Sequence, residues 1–374
     1  MVVEQLRRAV PGGIGTFTRG LLGGLAQCGD EGDGVDVSLL ASRTPGALSR
    51  RTPADPLARL GRPLALSRLP GPLLTRAWDH GWVRAPGGYD IMHAVSLAFP
   101  PCRAGGGTRP VVTVHDMAWR RRPEGATARG AAWHEAALRR ARDSDAALVV
   151  TSKFVAADLI GDGVDVDRIT VVHGGSDHLP PQDPAGTDAL LGSLGVEGDF
   201  LLTVGTLEPR KNIARLVQAY DRARPAFPER WPLVIVGPEG WGPDLLAGRD
   251  REGVVYAGEV DAAVLAGLYR RARAFVYVPL TEGYGLPPLE AMRAGTPVVV
   301  ANEVPSVVDL DEPDPPPALV VDPFDVEDIA GALTTIMTDD AVRADLTARG
   351  EAHWRSRTWR DVGRQHIRLW RSLA

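Results

Sequence analysis

The stretch "LTEGYGLPPLEAMRAGTPVVVA", Leu280–Ala301, sets two glutamates, Glu282 and Glu290, on either side of a Gly-Tyr-Gly turn and a Pro-Pro pair. The run before it, "AFVYVP" (Ala274–Pro279), is continuously apolar and reads as a buried strand. "LTEGYGLPP" then reads as the loop at its carboxyl end, "LEAMRAG" as a helix and "TPVVV" as the next strand. Strand, loop, helix and strand in this order make one unit of a parallel sheet covered on both faces. Ligands of open parallel sheets bind at that loop position.

The chemistry of the loop narrows the ligand. Glycines let backbone N–H groups come close to a bound molecule, and a helix N-terminus favours negative charge such as a diphosphate. Proline suits the start of the helix, where its missing donor is not needed. A carboxylate offers two oxygens to two vicinal hydroxyls, as found on a ribose or a hexose. Two acids beside a phosphate-binding loop therefore point to a nucleotide sugar. The plainer alternative is that both acids are surface groups serving the helix dipole.

Working outward, short apolar runs recur with helical stretches between them. They are "YDIMHAVS", "PVVTVHD", "AALVVTS" and "RITVVHGG", then "FLLTVGT", "PLVIVG", "VVYAG", "AFVYVP" and "TPVVVA". This alternation predicts an α/β protein with parallel sheets. A length of 374 residues suggests two domains. The pattern breaks at "LPPQDPAGTDALLGSLGVEGD", rich in Pro, Gly and Asp, so the reading places a first domain at 1–180, a linker at 181–198 and a second domain at 199–355. "RTWRDVGRQHIRLWRSLA" predicts an amphipathic helix over 356–374 that packs back on the first domain. The opening "MVVEQLRRAVPGGIGTF" repeats the strand, glycine turn, helix plan, but only Met1, Val2 and Val3 precede Glu4, as if the strand were clipped.

With these motifs in view, the sequence resembles the retaining nucleotide-sugar glycosyltransferases of family 4, which have the GT-B fold: two facing Rossmann-like, doubly wound domains with a cleft between them. The family signature of two glutamates separated by seven residues is met by Glu282 and Glu290. Further matches, in family order, are "PGGIGTF" (Pro11–Phe17), "VVTVHDM" (Val111–Met117) and "GTLEPRKN" (Gly205–Asn212).

The resemblance implies a role for each. Glu290 is expected to hold the nucleotide ribose, and Glu282 with the backbone of Gly283, Tyr284, Gly285 and Leu286 the transferred sugar. Arg210 and Lys211 are expected to face the diphosphate. Charge builds on that group as the sugar leaves, so fixed cations there act in the transition state. Lys211 is one of only two lysines among 42 basic residues. Many family members carry arginine where this chain has Thr206. Gly13 and Gly15 are expected to bring an N-terminal loop to the diphosphate. His115 is expected near the reacting sugar carbon, with Asp116 orienting loops or acceptor. Expected activity is hexose transfer with retention, without a covalent nucleophile and without a metal or other cofactor, the nucleotide sugar being a substrate.

Other features exclude or limit. A dinucleotide-binding strand would want a glycine where Thr18 stands and an acid where "VDVSLLASR" ends in Ser42 and Arg43. His93 and His173, which end predicted strands, read as structural hydrogen-bonders, and no histidine has metal spacing. "DVD" at Asp165–Asp167 reads as turn punctuation rather than a metal motif. Cys28 and Cys102 read as ordinary reduced thiols. No charged leader with an apolar run and no apolar stretch of about 18 residues occurs, so the expected location is the cytoplasm or the inner face of the cell membrane. Residues 1–180 hold 22 Arg/Lys against 18 Asp/Glu and the remainder 20 against 29, so the halves carry +4 and −9. "TRAWDHGWVRAP" (Thr75–Pro86) and "AWRRRPEG" interleave tryptophan with arginine, which suits an anionic membrane and a glycan or lipid-linked acceptor as well as it suits a packed tryptophan with solvated arginines. A nucleic-acid partner is not expected. GDP-mannose is the donor toward which the resemblance leans, with the base read near Tyr256–Val260. Rival readings are a glycoside hydrolase, which would not need Lys211 or the glycine loops, a nucleotide-sugar epimerase of the same fold, and a non-catalytic subunit that binds a nucleotide sugar.

Overall fold

The structure is a computed structural model and describes residues 1–8, 11–29, 34–43, 55–103, 105–240, 252–309 and 315–374. It divides into two compact units, the first comprising Met1–Trp119, Thr127–Gly175 and Trp359–Ala374, the second Arg120–Ala126 and Ser176–Thr358.

In the first unit the chain runs through α1 (Gly12–Gln27), β1 (Leu39–Ser42), β2 (Leu64–Ser67), α2 (Gly71–Asp79), β3 (Ile91–Ala94) and β4 (Arg109–Val114), then through α3 (Ala118–Arg121), which straddles the division at Trp119, and on through α4 (Ala128–Asp143), β5 (Ala147–Val150), α5 (Lys153–Gly161) and β6 (Ile169–Val171). Every strand pair is parallel, in the orders β1-β2 and β3-β4-β5-β6. The expected first strand is reduced to one bridging residue. Val2 bridges both Leu40 and Ala94, and its N–H donates to the His93 carbonyl at 2.8 Å. The chain then leaves the sheet because the Glu4 carboxylate turns inward, accepting from the Ser42 N–H at 2.6 Å and the Ser42 hydroxyl at 2.7 Å.

The second unit contains α6 (Pro184–Ser193), β7 (Leu201–Val204), α7 (Ile213–Ala223), β8 (Leu233–Val236), β9 (Val254–Gly258), α8 (Ala262–Arg271), β10 (Ala274–Tyr277), α9 (Leu286–Arg293), β11 (Val298–Ala301), α10 (Pro305–Val308), β12 (Leu319–Val321), α11 (Val326–Thr338) and α12 (Asp340–Arg355). Its sheet is parallel throughout, in the order β12-β11-β10-β7-β8-β9. The four residues of β8, β10 and β11 are buried in every case, which is why these strands read as unbroken apolar runs rather than alternating ones. The order reverses between β7 and β10, and that switch point is where such sheets take their ligands. Both units are thus open, Rossmann-like α/β domains.

Two stretches differ from the sequence reading. Residues 181–198, read as a linker, hold α6, with Asp183 as N-cap accepting from the Gly186 N–H at 3.0 Å and Pro184 in the first turn. The Pro, Gly and Asp that looked like linker composition are here helix-start residues. "PGGIGTF" likewise lies mostly within α1 rather than in a loop.

The last helix, α13 (Trp359–Leu373), belongs to the first unit and buries Trp359, Val362, Gly363, His366, Ile367 and Trp370 on one face. It lies against α1 so closely that a Cβ at Gly20 or Gly24 would collide with Trp359. Glycine is required there by the approach of the Trp359 ring at Gly20 and of the Trp359 backbone at Gly24, not by an unusual dihedral.

Candidate active site

The second unit's site is built on the two loops that flank its switch point. After β7, Pro209–Lys211 form a single 3-10 turn that ends at Asn212, whose φ of 61° is the one positive value for a non-glycine among the described residues. Asparagine tolerates that conformation. Its buried side chain donates to the Val278 carbonyl at 2.9 Å and the Pro323 carbonyl at 2.8 Å, fastening the β7 loop to the ends of β10 and β12. The Leu280 N–H adds a bond to the Arg210 carbonyl at 2.9 Å. Arg210 and Lys211 are therefore placed by backbone and Asn212, before any ligand is considered.

These two cations converge on one oxygen. Glu282 Oε1 accepts from Lys211 Nζ and lies 3.0 Å from an Arg210 guanidinium nitrogen. The Tyr277 hydroxyl donates to the same oxygen at 2.7 Å and accepts from Lys211 Nζ at 2.7 Å. Arg210 also donates to Glu208 at 2.7 Å and to the Thr281 carbonyl at 3.2 Å. The aliphatic part of Lys211 lies over Gly205, within van der Waals reach of where a Cβ would stand. Burial pushes the Glu282 carboxyl up, but Arg210, Lys211 and the bonds from Lys211 and Tyr277 outweigh it and bring it down to about 2. Burial draws the Lys211 ammonium down, against the pull of Glu282, and burial with the Glu282 charge drives the Tyr277 phenol well up.

Beyond Glu282 the loop is held from the inside. The Tyr284 side chain is buried and hydrogen-bonded to Arg357, and its carbonyl accepts from the Ser306 N–H at 2.8 Å. Gly285 has φ 89° and lies against Val304, so a Cβ there would be both strained and crowded. It caps α9, which starts at Leu286, three residues earlier than its sequence suggested, and takes in both prolines. Pro287 and Pro288 carry no N–H, so the first four helical positions offer two donors, Leu286 and Leu289, instead of four.

Glu290 lies one turn further along α9 and is buried. Its Oε2 accepts from the Tyr269 hydroxyl at 2.8 Å and its Oε1 from His178 Nε2 at 2.9 Å. Burial and the neighbouring Glu290 charge keep the Tyr269 phenol well above its ordinary range, so it remains a donor.

In the first unit, Gly13 and Gly15 sit in the first turn of α1. A Cβ at Gly15 would collide with Pro11, whereas Gly13 has open space around its Cα. His115, at the carboxyl end of β4, bonds through Nε2 to the Val95 carbonyl at 2.8 Å and meets the Phe17 ring edge-on at 4.9 Å. Burial draws its imidazole down, toward the neutral form. Asp116 accepts from the Ala118 N–H at 3.0 Å. His93 Nε2 lies 2.9 Å from the Thr113 hydroxyl, and its ring stacks on His366 at 5.4 Å. His173 bonds the Thr151 carbonyl at 3.1 Å.

The structure thus brings Arg210, Lys211 and Glu282 onto one another and sets Glu290 on the adjoining helix. Three participants went unnoticed in the sequence: Tyr277, Tyr269 and His178. Tyr277 was visible as the one polar-tipped residue ending an otherwise apolar strand, and His178 as a second histidine in "HGGSDH"; Tyr269 sits mid-helix and carried no signal. Among the described residues no group of three His, Cys, Asp or Glu side chains is placed to hold a metal ion. Among the same residues no helix is long and apolar enough to cross a membrane.

Comparison with known proteins gives a consistent account. Residues 11–178 match the family model described as Glycosyltransferase Family 4, and residues 194–353 the model described as Glycosyl transferases group 1. The O-antigen chain mannosyltransferase B of Escherichia coli is 35% identical over 275 residues, which cover 71% of each chain. A phosphatidyl-myo-inositol mannosyltransferase of Mycobacterium tuberculosis is 31% identical over 194 residues, 48% of each chain. Among solved structures, Anabaena Alr3699/HepE in complex with UDP and glucose superposes with a TM-score of 0.72 at 17% identity, covering 98% of this chain and 97% of that one. At that identity the likeness concerns the fold, which is GT-B.

Proposed function

The chain belongs to the glycosyltransferases described by the Family 4 and group 1 models, and from that premise we propose that it moves a mannose from GDP-mannose, with retention of configuration, to a glycan or lipid-linked acceptor of cell-envelope polysaccharide or glycoconjugate synthesis. The observation that carries the reading is the convergence of Arg210, Lys211 and Tyr277 on Glu282 Oε1 at the switch point of the second sheet. A buried cluster of this kind holds two cations in fixed positions without a ligand, and preorganised charge is what a leaving diphosphate requires. An arriving diphosphate takes Arg210 and Lys211 from Glu282, and the carboxylate so released accepts bonds from the sugar hydroxyls. Glu290 takes the ribose. With the diphosphate charge met by side chains and the α9 N-terminus, the reading assigns no role to a metal.

Mannose as the sugar is supported by the relatives named as mannosyltransferases. A lipid-linked acceptor reached at the inner face of the cell membrane is supported by the exposed surface around α2. Leu73 is 55% and Trp82 70% exposed there, beside exposed Arg68, Arg76 and Arg84, while the acid among them, Asp79, is turned to Arg140 and Trp133. Arginine with exposed apolar side chains suits peripheral contact with anionic lipid.

The test is donor turnover. Purified protein with a panel of GDP-, UDP- and dTDP-sugars, envelope lipid extract and excess EDTA should release GDP from GDP-mannose and yield an α-mannoside, and Lys211→Ala should release none. Turnover of UDP-glucose instead, or a β-linked product, would overturn the donor or the stereochemistry respectively. No turnover with any donor would remove the enzymatic reading.

A further inference from the structure

We propose that His178 is a positioning residue for the nucleotide-binding carboxylate, fixing Glu290 so that its two remaining lone pairs face the vicinal hydroxyls of the ribose. This rests on the reading of Glu290 as the ribose acceptor given above.

The argument begins with burial. Glu290 is 7% exposed on α9, and a carboxylate so placed needs donors on both oxygens. Tyr269, on α8 and fully buried, supplies one to Oε2 at 2.8 Å. Its own carbonyl is bonded by the Thr296 hydroxyl, so the tyrosine is set from both ends. His178 supplies the other to Oε1 at 2.9 Å, from the segment that follows β6 and opens the second unit. An ionised carboxylate only accepts, so the bonded Nε2 carries the proton.

Two donors on two different oxygens fix the rotation of the carboxylate plane, which neither does alone. A carboxylate has about four lone-pair sites, and one on each oxygen is now engaged. The remaining pair, one per oxygen, is the number and arrangement that a vicinal diol can fill. Without His178 the Oε1 end loses its anchor, and the plane turns about the Tyr269 bond. The loss is then felt by the diol rather than by the diphosphate.

The experiment compares GDP and UDP with their 2′,3′-dideoxy counterparts by calorimetry, on the wild type and on His178→Leu, His178→Asn, His178→Gln and Glu290→Ala. In the wild type the diol should be worth roughly ten- to a hundredfold in affinity, the range for a charge-assisted hydrogen bond. His178→Leu and His178→Asn, which is too short to reach Oε1, should reduce that preference by about five- to tenfold while leaving dideoxy affinity within about twofold, a partial loss because Glu290 still meets the diol from a less fixed position. His178→Gln, which keeps an N–H donor, should recover most of it. A merely structural histidine would instead weaken the normal and dideoxy forms alike, or only lower the thermal midpoint, and that result overturns the proposal. Loss of the preference in Glu290→Ala with retention in both His178→Leu and His178→Asn overturns it too, and leaves the ribose reading intact. A wild type that binds neither nucleotide, or that binds the dideoxy forms as well as the parents, overturns the ribose reading and the proposal with it.

Discussion

The Tyr277 hydroxyl donates to Glu282 Oε1 at 2.7 Å while accepting from Lys211 Nζ at the same distance, so one phenol links the acid and the cation of the second unit's site. Tyr277→Phe removes a donor to a buried carboxylate and an acceptor for a buried ammonium without changing volume much. We predict a loss of about 1.5–3 kcal/mol in unfolding free energy, the range for hydrogen bonds to charged groups. Chemical denaturation measures it, and an unchanged midpoint would show that the phenol is dispensable to the cluster.

Breaking the ion pair itself should cost more. Lys211→Met leaves Glu282 with Arg210 and the Tyr277 hydroxyl but without its ammonium partner, and removing one partner of a buried pair typically costs about 3–5 kcal/mol. Glu282→Leu with Lys211→Met in one chain removes both charges, and we expect it to be more stable than either single variant. Additive losses in that cycle would mean that the two side chains do not interact as the geometry states.

The same pair fixes a pH window. The folded Glu282 carboxyl is depressed to about 2 from an ordinary 4.5, so its contribution is complete above about pH 4.5 and is lost as pH falls toward 2. The shift corresponds to roughly 3 kcal/mol. Glu282→Gln should flatten the stability profile in that window and nowhere above it. A slope unchanged by the substitution would place the acid transition in other carboxyls.

How much of this could be read beforehand follows from what each feature depends on. β8, β10 and β11 were visible because both faces of the second unit's sheet are covered there, so burial is continuous along each. The two glutamates were visible as a spacing, and Lys211 as one of only two lysines, in a motif to which the resemblance gave a role. Tyr277 and His178 depend on loops meeting across 66 and 112 residues of chain, and no local pattern encodes that. The α6 helix was misread because Asp-Pro with glycine marks a helix start as readily as a linker. β2 and β12 escaped because they are short edge strands only partly buried, with too little apolar sequence to stand out. The GGIG segment read as a loop because glycine in quantity usually marks one; here Gly15 answers to Pro11, and further along the same helix Gly20 and Gly24 answer to Trp359.

Acid should also act on the first unit, in a higher window. His366 is buried, with Nδ1 bonded to the Val362 carbonyl at 2.8 Å, and among the described residues its Nε2, His93 Nδ1 and Trp370 Nε1 beside it have no hydrogen-bond partner. Burial draws His366 down to about 4 and His93 well below its ordinary value. The unfolded chain therefore binds protons more readily than the folded one, and stability is complete above about pH 6.5 and falls as pH drops toward 4. The Met1 amino group and His115 also face His93, and burial shifts both downward as well. His366→Phe should accordingly flatten part of the slope between pH 6.5 and 4, read from thermal midpoints. No change would mean that the cluster is solvated.

The contact between α1 and α13 supplies its own control. Gly24 has no room for a methyl group, which would strike the Trp359 carbonyl, while Gly23 beside it is exposed with nothing within 4 Å. Gly24→Ala must push the last helix away and should cost about 1–3 kcal/mol or more, the range for overpacking. Gly23→Ala removes a helix-weakening glycine and should stabilise by about 0.5–1 kcal/mol. Opposite signs at adjacent positions of one helix, measured by denaturation, follow only if α13 lies where the structure puts it. Equal effects at the two glycines would mean that the chain's last helix does not pack on α1, and the burial of Trp359, His366 and Trp370 would have to be abandoned with it.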